Sequence, residues 1–293
     1  MRIGIVILPD QRWSVAGRRW QRAEEYGFDH AWTYDHLGWR DLIEGPWFDS
    51  VPTLTAAAMV TRRIKLGFFV ASSNFRHPVH FAREVTALDD ISEGRLLLGL
   101  GAGGAGFDSA VLGGGELSPR ERVDRFTEFV DLLETILKSE STTWRGSYYA
   151  AVDARSLPGA VQQPRPPFII AANGPRSLRY AAANGDGWTT TGTMFSDDQE
   201  AWWQSVADAS SRFDEALDAA GRPRDAVPRY LNLDSGPEFS LSSVDAFEDA
   251  VGRARALGFT DAITHWPRES SWYAGDEKVL ETVAARLPRL RVS

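Results

Sequence analysis

The sequence predicts an α/β protein of eight strand–helix pairs. Three observations carry that expectation. Short apolar, β-rich runs alternate with longer amphipathic ones along all 293 residues. Several runs are continuously apolar, as parallel strands covered on both faces are. The intervening segments open and close with helix caps. Eight such pairs close into a barrel or spread into a large doubly wound sheet.

The strands are expected at Arg2–Leu8, His30–Tyr34, Ile64–Ala71, Arg95–Leu100, Phe168–Ala172, Gly187–Thr191, Arg229–Leu233 and Asp261–Thr264. The first helix ends at Ala23-Glu24-Glu25-Tyr26-Gly27, just before the second strand. Ala182-Ala183-Asn184-Gly185 and Ala254-Arg255-Ala256-Leu257-Gly258 repeat that exit before the sixth and eighth, so each glycine is expected in a left-handed helix stop. Arg76-His77-Pro78 enters the helix after the third strand, where a first-turn proline is tolerated. Ser118-Pro119-Arg120-Glu121 is a capping box. Val123, Phe126, Phe129, Val130, Leu133, Ile136 and Leu137 then lie on one helix face. Pro175 follows Gly174 at another helix start, and Ser196-Asp197-Asp198-Gln199 opens a further one. Residues 139–167 depart from the alternation. Trp144 to Tyr149 and the prolines 158, 164, 166 and 167 predict a hairpin and an extended segment inserted before the fifth strand. Such insertions commonly cover the mouth of a barrel.

Composition narrows the function. The net charge of −8 argues against a nucleic-acid partner, which needs clustered Lys and Arg. With no cysteine, disulfides, thiolate metal sites and cysteine nucleophiles are excluded. The five histidines show no metal-ligand spacing, so no metal is expected. No run approaches the roughly 20 apolar residues of a membrane span, and the apolar start is too short for a signal peptide. A cytoplasmic protein is expected, and the charge does not argue against a small anionic ligand. Most of the eleven tryptophans are expected in the core.

In a parallel barrel the chemistry sits at the carboxyl ends of the strands. The second strand runs into Asp35-His36 and then Trp39. An adjacent Asp and His can serve as a general base or bond a ring. The third ends in Phe69-Val70-Ala71-Ser72. The fourth runs into Gly101-Ala102-Gly103-Gly104-Ala105-Gly106, which matches the dinucleotide fingerprint. A Rossmann loop, however, belongs to the first β/α turn and leads straight into a helix. Here three units precede it and Phe107 to Gly115 follow, so backbone approaching a planar ring or phosphate is the better reading. The fifth ends in Ala172-Asn173-Gly174-Pro175-Arg176, where amides at a helix start make an anion site. Thr190, in Thr189-Thr190-Thr191, can bond a phosphate or polyol.

These residues resemble a known family. Arg83 to Gly103 follows the pattern of a helix, Leu-Asp-x-x-Ser-x-Gly-Arg (here Leu88-Asp89-Asp90-Ile91-Ser92-Glu93-Gly94-Arg95), then a strand and Gly-x-Gly. Arg76-His77-Pro78, Asn173-Gly174-Pro175 and Ala181–Trp188 are similar too, in the same order. The pattern is that of the bacterial luciferase-like superfamily of flavin- or coenzyme F420-dependent oxidoreductases.

The resemblance implies a (β/α)8 TIM barrel, one domain over residues 1–293, with the insertion at about 139–167, and a homodimer. Asp35-His36 resembles the Asp-His of F420 members, whereas FMN members often carry Glu-His. The resemblance therefore implies F420, with FMN the alternative cofactor. His36, Asp35 and Trp39 are its catalytic candidates, with His36 exchanging a proton and Asp35 orienting it or bonding the ring. Asp35, Phe69, Val70, Ala71, Ser72, Ala102, Gly103, Ala172, Asn173, Gly174, Pro175, Arg176 and Thr190 are the cofactor-binding candidates. A non-proline cis peptide is expected at Phe69–Val70. One departure stands out: sugar-phosphate dehydrogenases of the family carry a catalytic Glu where this chain has Gly104. An FMN-dependent monooxygenase and a non-catalytic cofactor-binding protein are the alternatives to an F420-dependent hydride transfer.

Overall fold

The computed structural model describes residues 1–104, 106–194 and 196–292. Eight parallel strands close into a barrel. They are β1 (Arg2–Val6), β2 (His30–Thr33), β3 (Lys65–Ser72), β4 (Leu96–Gly101), β7 (Phe168–Ala171), β8 (Gly187–Thr190), β9 (Arg229–Asn232) and β10 (Asp261–His265), bonded in the order β1-β10-β9-β8-β7-β4-β3-β2. All eight lie within two residues of their expected bounds. The remaining pair, β5 (Ser141–Arg145) and β6 (Ala150–Arg155), forms the antiparallel hairpin expected in the insertion.

The helices are α1 (Trp13–Glu25), α2 (Ser50–Val60), α3 (Pro78–Ile91), α4 (Phe107–Ala110), α5 (Pro119–Lys138), α6 (Pro175–Asn184), α7 (Gln199–Ala219), α8 (Val244–Ala256) and α9 (Glu277–Val292). The capping box at α5 is present in both directions, Ser118 to Glu121 and back. The cap of α7 is Asp198, whose carboxylate accepts from the Ala201 amide at 2.6 Å. Gly27 and Gly258 stop their helices at φ +84° as expected. Gly185 does not: its φ is −79°. A Cβ there would come within 2.8 Å of two carbonyl oxygens, so that glycine answers a close approach, not handedness. Periodicity also missed α2, because Ser50-Val51-Pro52-Thr53-Leu54-Thr55-Ala56-Ala57-Ala58-Met59-Val60 has no polar face to alternate with.

The chain divides into two compact units. One holds residues 9–18 and 33–168. There the stripe of α5 packs with Phe126, Phe129, Val130, Leu133, Ile136 and Leu137 buried, while Val123, also expected in it, is only half-buried; Phe81 of α3 lies between Phe68 and Phe129. The Leu-Asp-x-x-Ser-x-Gly-Arg signature is a structural knot in this unit. Buried Asp89 accepts from the Gln162 amide and side chain at 2.8 and 2.7 Å, which anchors the insertion. Arg95 donates to Thr61, Ile64 and Ala58. The insertion touches the end of β3 through Tyr149, whose hydroxyl donates to the Ser73 carbonyl at 3.4 Å.

The other unit holds residues 1–8, 19–32 and those from 169 onward. Trp188 stacks on Phe213 and Phe259, at 4.3 and 5.8 Å between ring centres. Near the amino ends of β1, β2 and β10, Arg2 grips Asp261 with two 2.7 Å hydrogen bonds. His30 Nε2 bonds Asp261 at 2.9 Å, and Trp32 donates to His30 Nδ1 at 2.6 Å. Burial alone would raise the Asp261 pKa, but the bonds from Arg2, His30 and Thr260 outweigh it and hold it at about 2, below its usual 3.8. A folded value below the unfolded one stabilises the fold above about pH 4, and the contribution is lost as pH falls toward 2. It amounts to about 2 kcal/mol at most, since Arg2 is half exposed and screened. Urea midpoints should therefore fall between about pH 5 and pH 3. Asp261→Asn should flatten that slope; an unchanged slope would refute the assignment.

Candidate active site

β2 hands the chain to Tyr34, Asp35 and His36. The two neighbours face different partners. Asp35 is 2% exposed and accepts four hydrogen bonds: from Ser50 Oγ at 2.5 Å, the Ser72 amide at 3.1 Å, and Arg76 Nε and Nη2 at 2.7 Å each. Arg76 also holds Glu84 at 2.7 Å. Burial works against the Arg76 charge, but Asp35 and Glu84 together raise its pKa above the usual arginine value. Burial raises that of Glu84 against the pull of Arg76. A carboxylate has about four lone-pair sites, and all of those on Asp35 are engaged. Asp35 thus ties β2, α2 and β3 together and does not orient His36, one of the two roles expected of it. Ser50 and Arg76 go unnoticed in the sequence as its partners because nothing in their spacing marks them.

His36 takes its carboxylate from Asp108, 72 positions along the chain, at 2.5 Å from Nδ1. The other Asp108 oxygen accepts the amides of Leu37 at 2.8 Å and Gly38 at 3.4 Å. Asp108 is 8% exposed on the short helix α4, whereas the His36 side chain keeps 31% of its surface open. A Cβ on Gly38 would meet Ile43 at 2.7 Å and Phe107 at 2.8 Å, so only glycine lets these two loops pack. The Tyr34 ring meets His36 and Trp39 edge-on, at 5.8 and 5.2 Å, and the Arg40 guanidinium covers Trp39 at 4.5 Å.

At the end of β3 the Phe69–Val70 peptide is cis, as the resemblance implies. Phe69, Ala71 and Ser72 are buried and Val70 is half-buried. Gly99 of β4 fits only without a side chain, since a Cβ would lie 2.2 Å from the Phe68 carbonyl oxygen and 3.0 Å from Val70. Beyond β4, Ala102 accepts from Ser73 Oγ at 3.3 Å. Gly103 sits at φ +70° against Asn74, which donates to the Gly104 carbonyl and accepts from Arg125. Ala105 of the glycine-rich run lies outside the described residues.

The other compact unit carries the second group. Asn173 accepts from Thr190 Oγ1 at 2.6 Å and donates to Thr191 at 3.0 Å. Ala172 is buried and its carbonyl accepts from Trp188 at 2.9 Å. Gly174 caps α6 without a side-chain hydrogen bond, Pro175 is its first residue, and Arg176 is exposed in the first turn. That helix start is free of a competing side-chain cap and suits an anion. The same unit contains another imidazole–carboxylate pair, His265 Nδ1 with Asp234 at 2.7 Å. Both side chains have no exposure, and Tyr273 stacks on the His265 ring at 3.7 Å. Burial lowers the His265 pKa despite the pull of Asp234. That imidazole is shut in; the His36 imidazole is open.

Comparison with known proteins shows the family. The profile of a family described as luciferase-like monooxygenase matches residues 1–266. The F420-dependent glucose-6-phosphate dehydrogenase of Amycolatopsis mediterranei is 36% identical over 58% of this chain and 51% of its own. The 5,10-methylenetetrahydromethanopterin reductase of Archaeoglobus fulgidus is 28% identical over 88% of this chain and 68% of its own. The chain thus spans about half to two thirds of the length of the curated relatives it matches. A solved F420-dependent secondary alcohol dehydrogenase, in complex with an F420–acetone adduct, shares the fold at TM-score 0.83, with 16% identity over 99% of both chains.

Proposed function

Because the chain belongs to the luciferase-like monooxygenase family, we propose that it is a coenzyme F420-dependent oxidoreductase acting on a small alcohol or carbonyl compound. The observation that carries this is the open imidazole of His36, backed by buried Asp108 at the carboxyl end of a barrel strand. The curated relative named above as F420-dependent supports the coenzyme. Its sugar phosphate is not carried over, because Gly104 stands where the resemblance implies a carboxylate in such enzymes.

Two groups of residues, one in each compact unit, are proposed to serve the coenzyme. The backbone at Phe69–Val70 to Ser72 and at Ala102-Gly103 would support the ring. Asn173, Gly174, Arg176 and Thr190 would hold the anionic tail, at a helix start with no side-chain cap. Bound F420 would accept or donate a hydride at C5 of its ring. His36 Nε2 would take the hydroxyl proton of an alcohol being oxidised, or return it to a carbonyl being reduced. Asp35 keeps the loop beneath His36 in place, and Trp39, against Tyr34, borders that loop. The working form is taken as a homodimer, as the resemblance implies, in the cytoplasm, as the absence of cysteine suggests.

Titration of the purified protein with F420 and, separately, FMN tests the cofactor through quenching of its eleven tryptophans. Saturable quenching by F420, with FMN much weaker, is expected. Tight FMN binding with no response to F420 would replace this reading with an FMN-dependent monooxygenase. Loss of the visible absorbance of F420 in a panel of primary and secondary alcohols then tests the substrate class. Tight F420 binding without turnover on any of them would leave a cofactor-binding protein.

A further inference from the structure

We infer that Asp108 is a positioning residue that fixes His36 in one tautomer, with Nδ1 protonated and Nε2 left as the basic nitrogen. The inference rests on the reading of His36 as the proton-exchanging group, and it adds which atom exchanges the proton and what sets that choice.

Free imidazole favours neither nitrogen strongly, so the protein must choose, and it does so through the hydrogen bond at the other nitrogen. Asp108 Oδ1 accepts two backbone amides, Leu37 at 2.8 Å and Gly38 at 3.4 Å. Those donors turn the carboxylate so that Oδ2 meets His36 Nδ1 at 2.5 Å. A carboxylate held by N–H donors acts as an acceptor, so the proton of neutral His36 lies on Nδ1. Nε2 then carries the lone pair. The backbone supplying the two amides directly follows His36, so the carboxylate grips the ring and its own loop together. The rest of the anchoring comes from α4. Phe107, next to Asp108, fills the space beside Gly38. The Ser109 hydroxyl donates to the Gly106 carbonyl at 2.8 Å and accepts from the Gly106 amide at 3.2 Å, which closes the turn carrying Asp108.

Two other positions could be asked to do this. Asp35 is adjacent in sequence, but its four acceptor positions are filled by Ser50, Ser72 and Arg76. Gly104, where sugar-phosphate enzymes of the family carry an acid, has no side chain. Asp108 therefore supplies the carboxylate for the imidazole, from four residues further along the same loop.

The test reads the tautomer directly, with no coenzyme or substrate. Protein labelled with ¹⁵N-histidine has only five histidines, and His36→Gln identifies the His36 signals by their loss. At a pH where the ring is neutral, long-range ¹H–¹⁵N spectra distinguish a protonated from an unprotonated ring nitrogen. Native His36 is expected to show a protonated Nδ1 and an unprotonated Nε2. In Asp108→Asn that pattern should collapse to a mixture or reverse, and Asp108→Glu should restore it in part. Protonated Nε2 in the native protein, or an identical pattern in native and Asp108→Asn, would overturn the inference. Should Asp108→Asn fail to fold, the native spectrum alone still decides. Since F420 is absent throughout, this result stands or falls separately from the cofactor titration. Once a substrate is in hand, Asp108→Asn should lower kcat on the order of 100-fold with quenching by F420 unchanged.

Discussion

His36→Ala is expected to lower kcat on the order of 10²- to 10⁴-fold, the range a positioned general acid–base supplies. The effect should fall on turnover and not on coenzyme binding, because the ring supports assigned to the coenzyme are backbone and apolar groups of β3 and β4. The Trp-quench titration with F420 should thus superimpose on that of the native protein. The expectation rests on exposure. His36 keeps 31% of its side chain open, while His265, paired just as closely with Asp234, has none. A control follows from that contrast: His265→Gln should disturb stability more than turnover, since its ring is shut under Tyr273. Unchanged turnover of a verified substrate in His36→Ala would remove this residue from the mechanism.

The second large effect is structural. Arg76→Met is expected to destabilise the fold by about 3–5 kcal/mol, because it leaves buried carboxylates without their cation. The Arg76 side chain is 6% exposed; its partners Asp35 and Glu84 are 2% and 20% exposed. Methionine restores the bulk of the side chain but none of its donors, so the cost is electrostatic and not a cavity. Asp35 would lose two of its four hydrogen bonds, and the loop that carries His36 would loosen with it. Urea denaturation gives the size of the effect. A cost below about 1 kcal/mol would mean that water replaces Arg76 easily and that the network is not what holds Asp35. The double variant Arg76→Met/Asp35→Asn should recover part of the loss, as removal of both charges does for buried pairs.

Much of the barrel was legible in the sequence for physical reasons. A strand buried on both faces must be apolar throughout, and β4, β7 and the Leu66–Ala71 run of β3 are. A helix against the barrel must be apolar on one side, and α5 shows that stripe. Where the pattern carries no contrast, as in the uniformly apolar α2, the element went unread. The candidate site was legible only in part. Asp35, His36 and the tip of β3 could be singled out because they sit at strand ends, but adjacency suggested the wrong pairing. Asp35 turned to Arg76, and His36 turned to a lone acid in a glycine-rich stretch that no motif marks.

The sequence by itself determined the alternation of strands and helices, the caps that start and stop them, and the family. The elements and caps depend on local backbone preference and on the period of apolar residues, which a chain carries without reference to its fold; the family rests on the resemblance of motifs such as Leu88 to Arg95. The tertiary structure alone decided which carboxylate each functional group meets and which imidazole stays open. Those choices are made between loops some 40 to 70 residues apart. There glycines such as Gly38 and Gly103 permit close approach, and hydrogen-bond donors compete for a few acceptor sites; neither contest leaves a period in the sequence.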